Sequence, residues 1–133
     1  MAVMRKQYHH RKVGDETHLW DVHRLIRLSR DITPVSVPVS EIAELDEDWW
    51  YQEDGAIPTP RSFAEHMKLV HETDLAHPIL LCAEGRLMDG MHRVVKALTL
   101  GHTQIMAIRF PMTPAPDHIN LSLADLPHAE EEI

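Results

Sequence analysis

Residues 77–110, HPILLCAEGRLMDGMHRVVKALTLGHTQIMAIRF, carry the order of elements that decides the fold. A short apolar run after Pro78 is typical of a buried strand, and Gly85 provides the positive φ that a tight turn needs. Apolar residues then recur at helical spacing until Gly101, a residue type that suits the position just after a helix end. The stretch therefore predicts, in order, a strand at 79–82, a tight turn at 83–86, a strand at 87–88, a helix at 91–100 and a strand at 104–110.

The residues before this stretch add helices and an edge strand. Apolar residues at helical spacing predict one amphipathic helix over 18–30 and another over 61–75. Alternating valines interrupted by prolines predict an edge strand over 35–39. A serine N-cap is expected to open a short helix over 42–45, and an acidic, aromatic stretch that ends in glycine and two prolines predicts a loop over 46–60.

Together these elements predict an α+β fold, a small mixed sheet packed with helices. The polar, unpatterned start is expected to be a flexible basic and His-rich lead over 1–17. A single domain is expected over 18–116, and a proline-rich end that becomes acidic predicts an irregular tail over 117–133.

Composition excludes several classes of protein. No run of the 133 residues approaches the ~18 apolar residues that span a bilayer, and the start lacks the apolar middle of a secretory signal. With one cysteine, Cys82, an intramolecular disulfide is excluded, and a cytoplasmic location is expected. The net charge is -8 although residues 1–30 hold seven Lys/Arg against three Asp/Glu. An acidic body with one basic arm is poorly suited to general DNA binding.

The junction between the strand at 87–88 and the helix at 91–100 carries the chemistry. A helix N-terminus leaves backbone N–H groups unpaired and bears partial positive charge, so it favours oxyanions. Gly90 would let a ligand approach the backbone, Arg93 could bind a phosphate in bidentate fashion, and His92 offers a second donor. Asp89 could cap the helix or ligate Mg²⁺ between phosphates. The alternative is a simple turn with capping residues and a surface arginine.

This order of strands and helix, with Asp-Gly-x-His-Arg at the junction, resembles the ParB/sulfiredoxin superfamily over roughly residues 35–110. The resemblance implies a small α+β domain that holds nucleotide phosphates on its glycine turn and the following helix N-terminus. Carried onto this chain, the phosphate-contacting residues would be Gly90, Met91, His92 and Arg93, with Asp89 beside them. ATP or CTP, together with Mg²⁺, would be the ligand.

Residues of this chain that differ from the family pattern exclude some of the activities found in the family. Sulfiredoxin has a nucleophilic cysteine where this chain has Met91, and a thioether cannot replace a thiolate, so sulfiredoxin activity is excluded. Cys82 lies in an apolar run and is expected to be a small buried residue. ParB proper has a Gly-Glu-Arg-Arg type turn followed by DNA-binding and dimerisation domains for which no residues remain here. The turn DGMHR is most similar to that of the free serine kinase type, from which it differs at Met91.

Other residues are candidates for catalysis or partner binding. Asp89 and His92 are catalytic candidates in the junction itself. Glu65 or His66 could be a general base if the predicted helix 61–75 faces the Gly90 turn. The alternative is that Glu65 and His66 lie on a solvated face of that helix. The aromatic cluster at 49–51 could stack on a nucleobase, although a place at the core edge or in a homodimer interface is favoured. The eleven histidines show no zinc-type spacing. Arginines at 24, 27 and 30 could contact nucleic acid, with a solvated face favoured.

Two functions follow. The first is a stand-alone ParB-like domain that binds a nucleoside triphosphate through Gly90–Arg93 and performs phosphoryl transfer or nucleotide hydrolysis. The second is a non-catalytic DNA- or protein-binding module of partitioning or antitoxin type. No membrane partner is expected.

Overall fold

A computed structural model describes residues 3–5, 7–52, 55–121 and 130–132 of the chain. The fold is α+β, with three α-helices and a mixed sheet. The strands and helices are, in chain order, β1 (Val3–Arg5), β2 (Tyr8–Val13), β3 (Glu16–Asp21), α1 (Val22–Ser29), β4 (Val35–Pro38), α2 (Pro60–Glu72), β5 (Ile79–Leu81), β6 (Leu87–Asp89), α3 (Met91–Thr99), β7 (Gln104–Arg109), β8 (His118–Ile119) and β9 (Glu130–Glu132).

The central sheet has the strand order β4-β7-β5-β6, in which β5 and β7 run parallel and the other pairs are antiparallel. The parallel pair brackets α3, which makes β5–β6–α3–β7 the predicted strand–turn–strand–helix–strand unit. β4 lies at the sheet edge as its prolines predict. A second sheet joins β2, β3 and β8, and β1 pairs with β9.

The central sheet is covered on both faces, and its strands therefore alternate between two cores. Ile79 and Leu81 of β5 pack in one apolar cluster with Val94 and Ala97 of α3. Leu80 packs on the other face, in a cluster that also contains buried residues of β3, α1 and β7. Burial on both faces explains why β5 is a continuous apolar run instead of an alternating one.

The N-terminal residues form a β-hairpin, so the expectation of a lead without regular structure is wrong over the strands of this hairpin. β2 and β3 pair from Tyr8↔Asp21 to Val13↔Glu16, and the turn between them contains Gly14 at φ +62°. A two-residue glycine turn is a hairpin signal, and the buried Trp20 anchors β3 to the core. Residues 1, 2 and 6 lie outside the described residues.

Three further expectations need correction. The predicted helix over 18–30 begins only at Val22, because 16–21 belong to β3 and Asp21 provides the N-cap by accepting from the His23 N–H at 2.9 Å. The short helix over 42–45 is replaced by two 3₁₀ turns without a side-chain cap. In the predicted irregular tail, β8 pairs with β3; residues 122–129 and 133 lie outside the described residues.

No helix in the described ranges is long and apolar enough to span a membrane. Cys82 is fully buried, as expected, and its thiol donates to a Glu84 carboxylate oxygen at 3.2 Å.

Candidate functional site

Gly90 forms the junction between β6 and α3 in a left-handed conformation, with φ +111°. A Cβ on this residue would lie 2.7 Å from Ile79 Cγ2 and 3.0 Å from Arg93 Nη2. The sequence suggested that glycine here admits a ligand to the backbone. In the structure the space that a Cβ would need is filled by β5, so the packing of the sheet itself requires glycine.

Among the described residues, no side chain caps the N-terminus of α3. Gly90 is the cap residue and cannot cap with a side chain, and Asp89 does not replace it. The first helical hydrogen bond runs from the Val94 N–H to the Gly90 carbonyl at 3.0 Å. The N–H groups of the first turn therefore keep their capacity to bind an anion.

Arg93 lies across this turn and is held by two acceptors. Its Nη2 donates to Asp89 Oδ2 at 3.2 Å and to the Pro78 carbonyl at 3.3 Å. Within the described residues, its buried Nε has no hydrogen-bond partner. A guanidinium with an unused Nε–H retains part of the fork that binds carboxylate or phosphate.

Asp89 is the ion-pair partner of Arg93 in this arrangement. Burial raises the pKa of its carboxyl, while the Arg93 charge and the Gly90 backbone N–H act in the opposite direction. A carboxylate that is already paired with an arginine is less available to ligate a metal ion. Consistent with this, the part of the chain that the structure describes holds no group of three or more His, Cys, Asp or Glu side chains that could hold a metal ion.

His92 and His66 form a hydrogen-bonded pair beside the turn. His66 Nδ1 lies 3.0 Å from His92 Nε2, and the ring centroids are 5.3 Å apart with 21° between the planes. The two rings therefore lie edge to edge in nearly the same plane, joined by the hydrogen bond. Trp50 covers them both, with centroids 4.2 Å from His66 and 5.1 Å from His92.

Burial keeps the two imidazoles neutral near pH 7. It lowers the pKa of His92 to about 4, with contributions from His66 and Arg93. The pKa of His66 is also lowered by burial, against the opposing effect of Glu65. Each ring can therefore donate one N–H and accept at its other nitrogen, so the pair can bind a polar group or pass a proton.

These groups open into one cleft of about 830 Å³. The Asp89–Arg93 turn lines one part of it, and Trp50 with His92 lines another. Arg30 of α1 and His9 of the hairpin also line it. The sequence did not predict His9 at this site, and the signal that could have placed it here is the pairing of the β2–β3 hairpin around Gly14.

The other candidate residues lie around this cleft in different ways. Glu65 is exposed and does not line it, whereas His66 reaches it only through His92 and Trp50. Trp49 and Trp50 pack against the core cluster of α3, as the favoured interpretation of the aromatic stretch expected. Tyr51 accepts a hydrogen bond from the Ser62 hydroxyl at 3.3 Å.

The basic residues of α1 do not share one role. Arg24 donates to the Ala115 carbonyl at 2.9 Å and to Asp117 Oδ2 at 3.2 Å, and so ties α1 to the segment before β8. Arg30 lines the cleft instead. The predicted basic stripe is thus divided between a structural contact and the cleft.

Comparisons with protein-family models, with curated proteins and with solved structures find no match to this chain. What the cleft binds must therefore be inferred from its own chemistry.

Proposed function

We propose that this chain binds a nucleoside triphosphate in the cleft, with the phosphates on the Gly90–Arg93 turn. The observation that carries the proposal is the meeting, in one cleft, of a helix N-terminus without a side-chain cap and an arginine whose buried Nε has no partner among the described residues. The resemblance of the DGMHR turn to the nucleotide-binding turns of the ParB/sulfiredoxin superfamily supports the same function.

The electrostatics of the turn suit a bound oxyanion. Asp89 is the one acidic side chain within the turn, and its ion pair with Arg93 offsets its charge. The partial positive charge of the α3 N-terminus and the N–H donors of the first turn remain. Arg93 Nε is buried, so a phosphate that reached its N–H after a movement of the side chain would add a charge-assisted hydrogen bond to those of the backbone.

The size of the cleft suits a whole nucleotide. Small-molecule sites typically measure about 300–1,000 Å³, and this cleft measures about 830 Å³. Trp49 and Trp50 supply the aromatic lining that such ligands favour. A ligand without phosphate would leave the Gly90–Arg93 turn of the cleft unused.

Phosphoryl transfer or nucleotide hydrolysis is the reaction class that we propose for this site. Positioning and charge stabilisation dominate that chemistry. His92 is the candidate to accept a proton at the cleft, and His66 is the candidate to receive one from His92 across their hydrogen bond. Mg²⁺ would supply further charge on the phosphates; Asp89 is its one candidate ligand in the turn, and the phosphates themselves would provide others.

Calorimetric titration with ATP, CTP and GTP in the presence of Mg²⁺ tests the proposal. The double variant Asp89→Asn/Arg93→Gln removes both charges of the ion pair without leaving a buried charge unpaired. We expect this variant to lose at least about tenfold in nucleotide affinity, because charge-assisted contacts to phosphate are lost. Arg61→Gln, at an exposed position outside the cleft, is the matched control and should bind as the wild type does.

Two results would refute the proposal. One is the absence of binding of all three nucleotides to the wild-type chain at millimolar concentration. The other is an unchanged affinity of the double variant, provided that circular dichroism shows it to be folded.

A further inference from the structure

His9 occupies an unusual position in the hairpin wall of the cleft. It pairs with Trp20 across β2 and β3, and its ring centroid lies 5.6 Å from that of Trp20 and 5.6 Å from that of Trp49. The residue is 8% exposed. Its ring plane lies 18° from that of Trp49, so the imidazole is stacked on an indole.

The Nε2 atom of His9 is buried and, among the described residues, has no hydrogen-bond partner. A buried polar atom without a partner destabilises the folded chain, and native proteins rarely retain one without a use for it. Arg93 Nε is another such atom, and both residues line the same cleft. The two atoms without partners therefore belong to residues that line the same ligand-sized cleft.

The surroundings of His9 select an uncharged partner. Arg86 is bonded to Glu47 at 2.9 and 2.7 Å and lies 3.3 Å from Glu44. Arg11 donates to the Leu87 carbonyl and packs over Trp20 at 5.5 Å. Both nearby arginines thus have partners within the chain, and an anion at His9 would have to compete for them.

Charge on His9 itself is disfavoured as well. Burial, followed by the charges of Arg11, His10 and Arg86, lowers the pKa of His9 to about 3. At neutral pH the imidazole is uncharged and can offer either an N–H or a lone pair. A neutral donor or acceptor is the matching group on a ligand.

We propose that His9 Nε2 hydrogen-bonds an uncharged group of the bound nucleotide, on its base or its ribose, and so fixes which way the nucleotide lies in the cleft. This inference rests on the proposed function, because it assumes that the phosphates occupy the Gly90–Arg93 end. The His9 end then contributes to the choice among nucleotides, while the phosphate end does not distinguish them.

Access to Nε2 requires a local movement. The atom is covered, and the half-buried Trp49 is the residue stacked on its ring. Trp49 lies in the connection before α2, outside the strands and helices, and its indole also packs against the core cluster, so this side chain has to shift there to uncover the atom. A nucleotide should therefore change the environment of Trp49, whereas a bare polyphosphate at the other end should not.

The substitution His9→Phe tests the inference, because it keeps an aromatic ring between the two indoles and removes Nε2. We expect affinity for the preferred nucleotide to fall about five- to tenfold, as for the loss of one hydrogen bond to a ligand. Affinity for inorganic tripolyphosphate should not change. His18→Phe is the matched control, since His18 lies on the same hairpin and does not line the cleft.

The thermal stability of the same variant gives a readout that does not depend on nucleotide. Because His9→Phe removes a buried atom that has no partner within the protein, its Tm should exceed that of the wild type by at least about 3 °C. A lower Tm than that of the wild type overturns the inference, since it would mean that Nε2 serves the fold.

In the unsubstituted chain, the ¹⁵N resonance of His9 Nε2 should shift on addition of nucleotide and stay in place on addition of tripolyphosphate. If nucleotide binds but neither this resonance nor the His9→Phe affinity changes, the inference fails while the proposed function stands. If wild-type chain binds neither nucleotide nor tripolyphosphate, the proposed function fails and this inference fails with it.

Discussion

At the scale of single residues, the junction between β6 and α3 serves the fold and the candidate site with the same side chains. Gly90 lets β5 approach, and Asp89 orients Arg93 across the first turn of the helix. Met91 is buried in the core cluster of α3. The methionine therefore anchors the helix start, and only its backbone N–H is left to face a phosphate.

Substitution of Gly90 by alanine should be strongly destabilising. The new Cβ would meet Ile79 Cγ2 at 2.7 Å in a left-handed backbone conformation, and we expect a loss of about 2–4 kcal/mol in the free energy of unfolding. Gly101→Ala is the control, because Gly101 has φ +78° but nothing within 4 Å of a Cβ. Urea denaturation should show a clearly smaller loss for the control; equal losses would contradict the steric explanation.

The residues of the junction could be predicted from the sequence, but their partners could not. Asp89, Gly90, His92 and Arg93 stand out because of their order before a helix. The contact between His66 and His92 depends on how α2 packs against α3, and the two residues are 26 positions apart. Burial of His9 depends on a hairpin that residue composition alone made look like an unpatterned lead.

At the scale of elements, the packing of α2 on α3 builds the site. His66 of α2 reaches His92 of α3, and one helical turn further on Lys96 of α3 reaches back to the end of α2. Lys96 Nζ donates to the Thr73 carbonyl at 2.6 Å and to the His71 carbonyl at 3.0 Å. These contacts satisfy carbonyls that a helix C-terminus leaves without partners.

Removal of the Lys96 ammonium should loosen this end of α2. Lys96→Met keeps most of the apolar stem and should lower the free energy of unfolding by about 1–2 kcal/mol. Lys68→Met is the matched control: Lys68 lies 4.0 Å from Glu72 in an exposed pair, and its loss should cost less than about 0.5 kcal/mol. Chemical denaturation gives the free energy of unfolding of both variants. If Lys96→Met were as stable as Lys68→Met, the hydrogen bonds from Lys96 to the end of α2 would be unimportant for stability.

The elements of the central sheet could be predicted because each carries a local signal. Apolar runs, Gly85 and Gly101 locate β5, β6, α3 and β7 to within about two residues. The predicted start of α1 is too early because Leu19 lies at helical spacing from Val22 and Leu25, although it belongs to β3. Tertiary pairing of β3 with β2 and β8 decides for the strand.

At the scale of the whole molecule, the cleft lies where the hairpin and α1 face the β6–α3 junction. His9 and His92 line it, and His66 is hydrogen-bonded to His92. Burial lowers the pKa of His9 to about 3 and that of His92 to about 4, and it also lowers the pKa of His66. Protonation of any of them is easier in the unfolded chain, whose histidines have the ordinary pKa of 6.5.

Acid should therefore destabilise the fold well above the range in which carboxylates titrate. The contribution of these histidines is fully present above pH 6.5 and declines as the pH falls towards their lowered pKa values. The raised pKa of Asp89 acts in the opposite direction, but for one group only. Thermal unfolding should show a Tm at least about 5 °C lower at pH 4.5 than at pH 7.

His9→Phe offers an internal check on this pH dependence. Removing the most strongly shifted of these histidines should reduce the difference in Tm between the two pH values. A pH dependence of equal size in the variant and the wild type would mean that other groups cause it.

The central claim is that phosphates bind at the start of α3, and ¹H–¹⁵N spectra of the wild-type chain titrated with CTP or ATP and Mg²⁺ test it most directly. The backbone amides of Met91, His92 and Arg93 should show the largest shifts, saturate with added nucleotide, and move in the same way with tripolyphosphate. Amides of the α3 N-terminus that stay in place while those of α1 or of other surfaces move would contradict the claim.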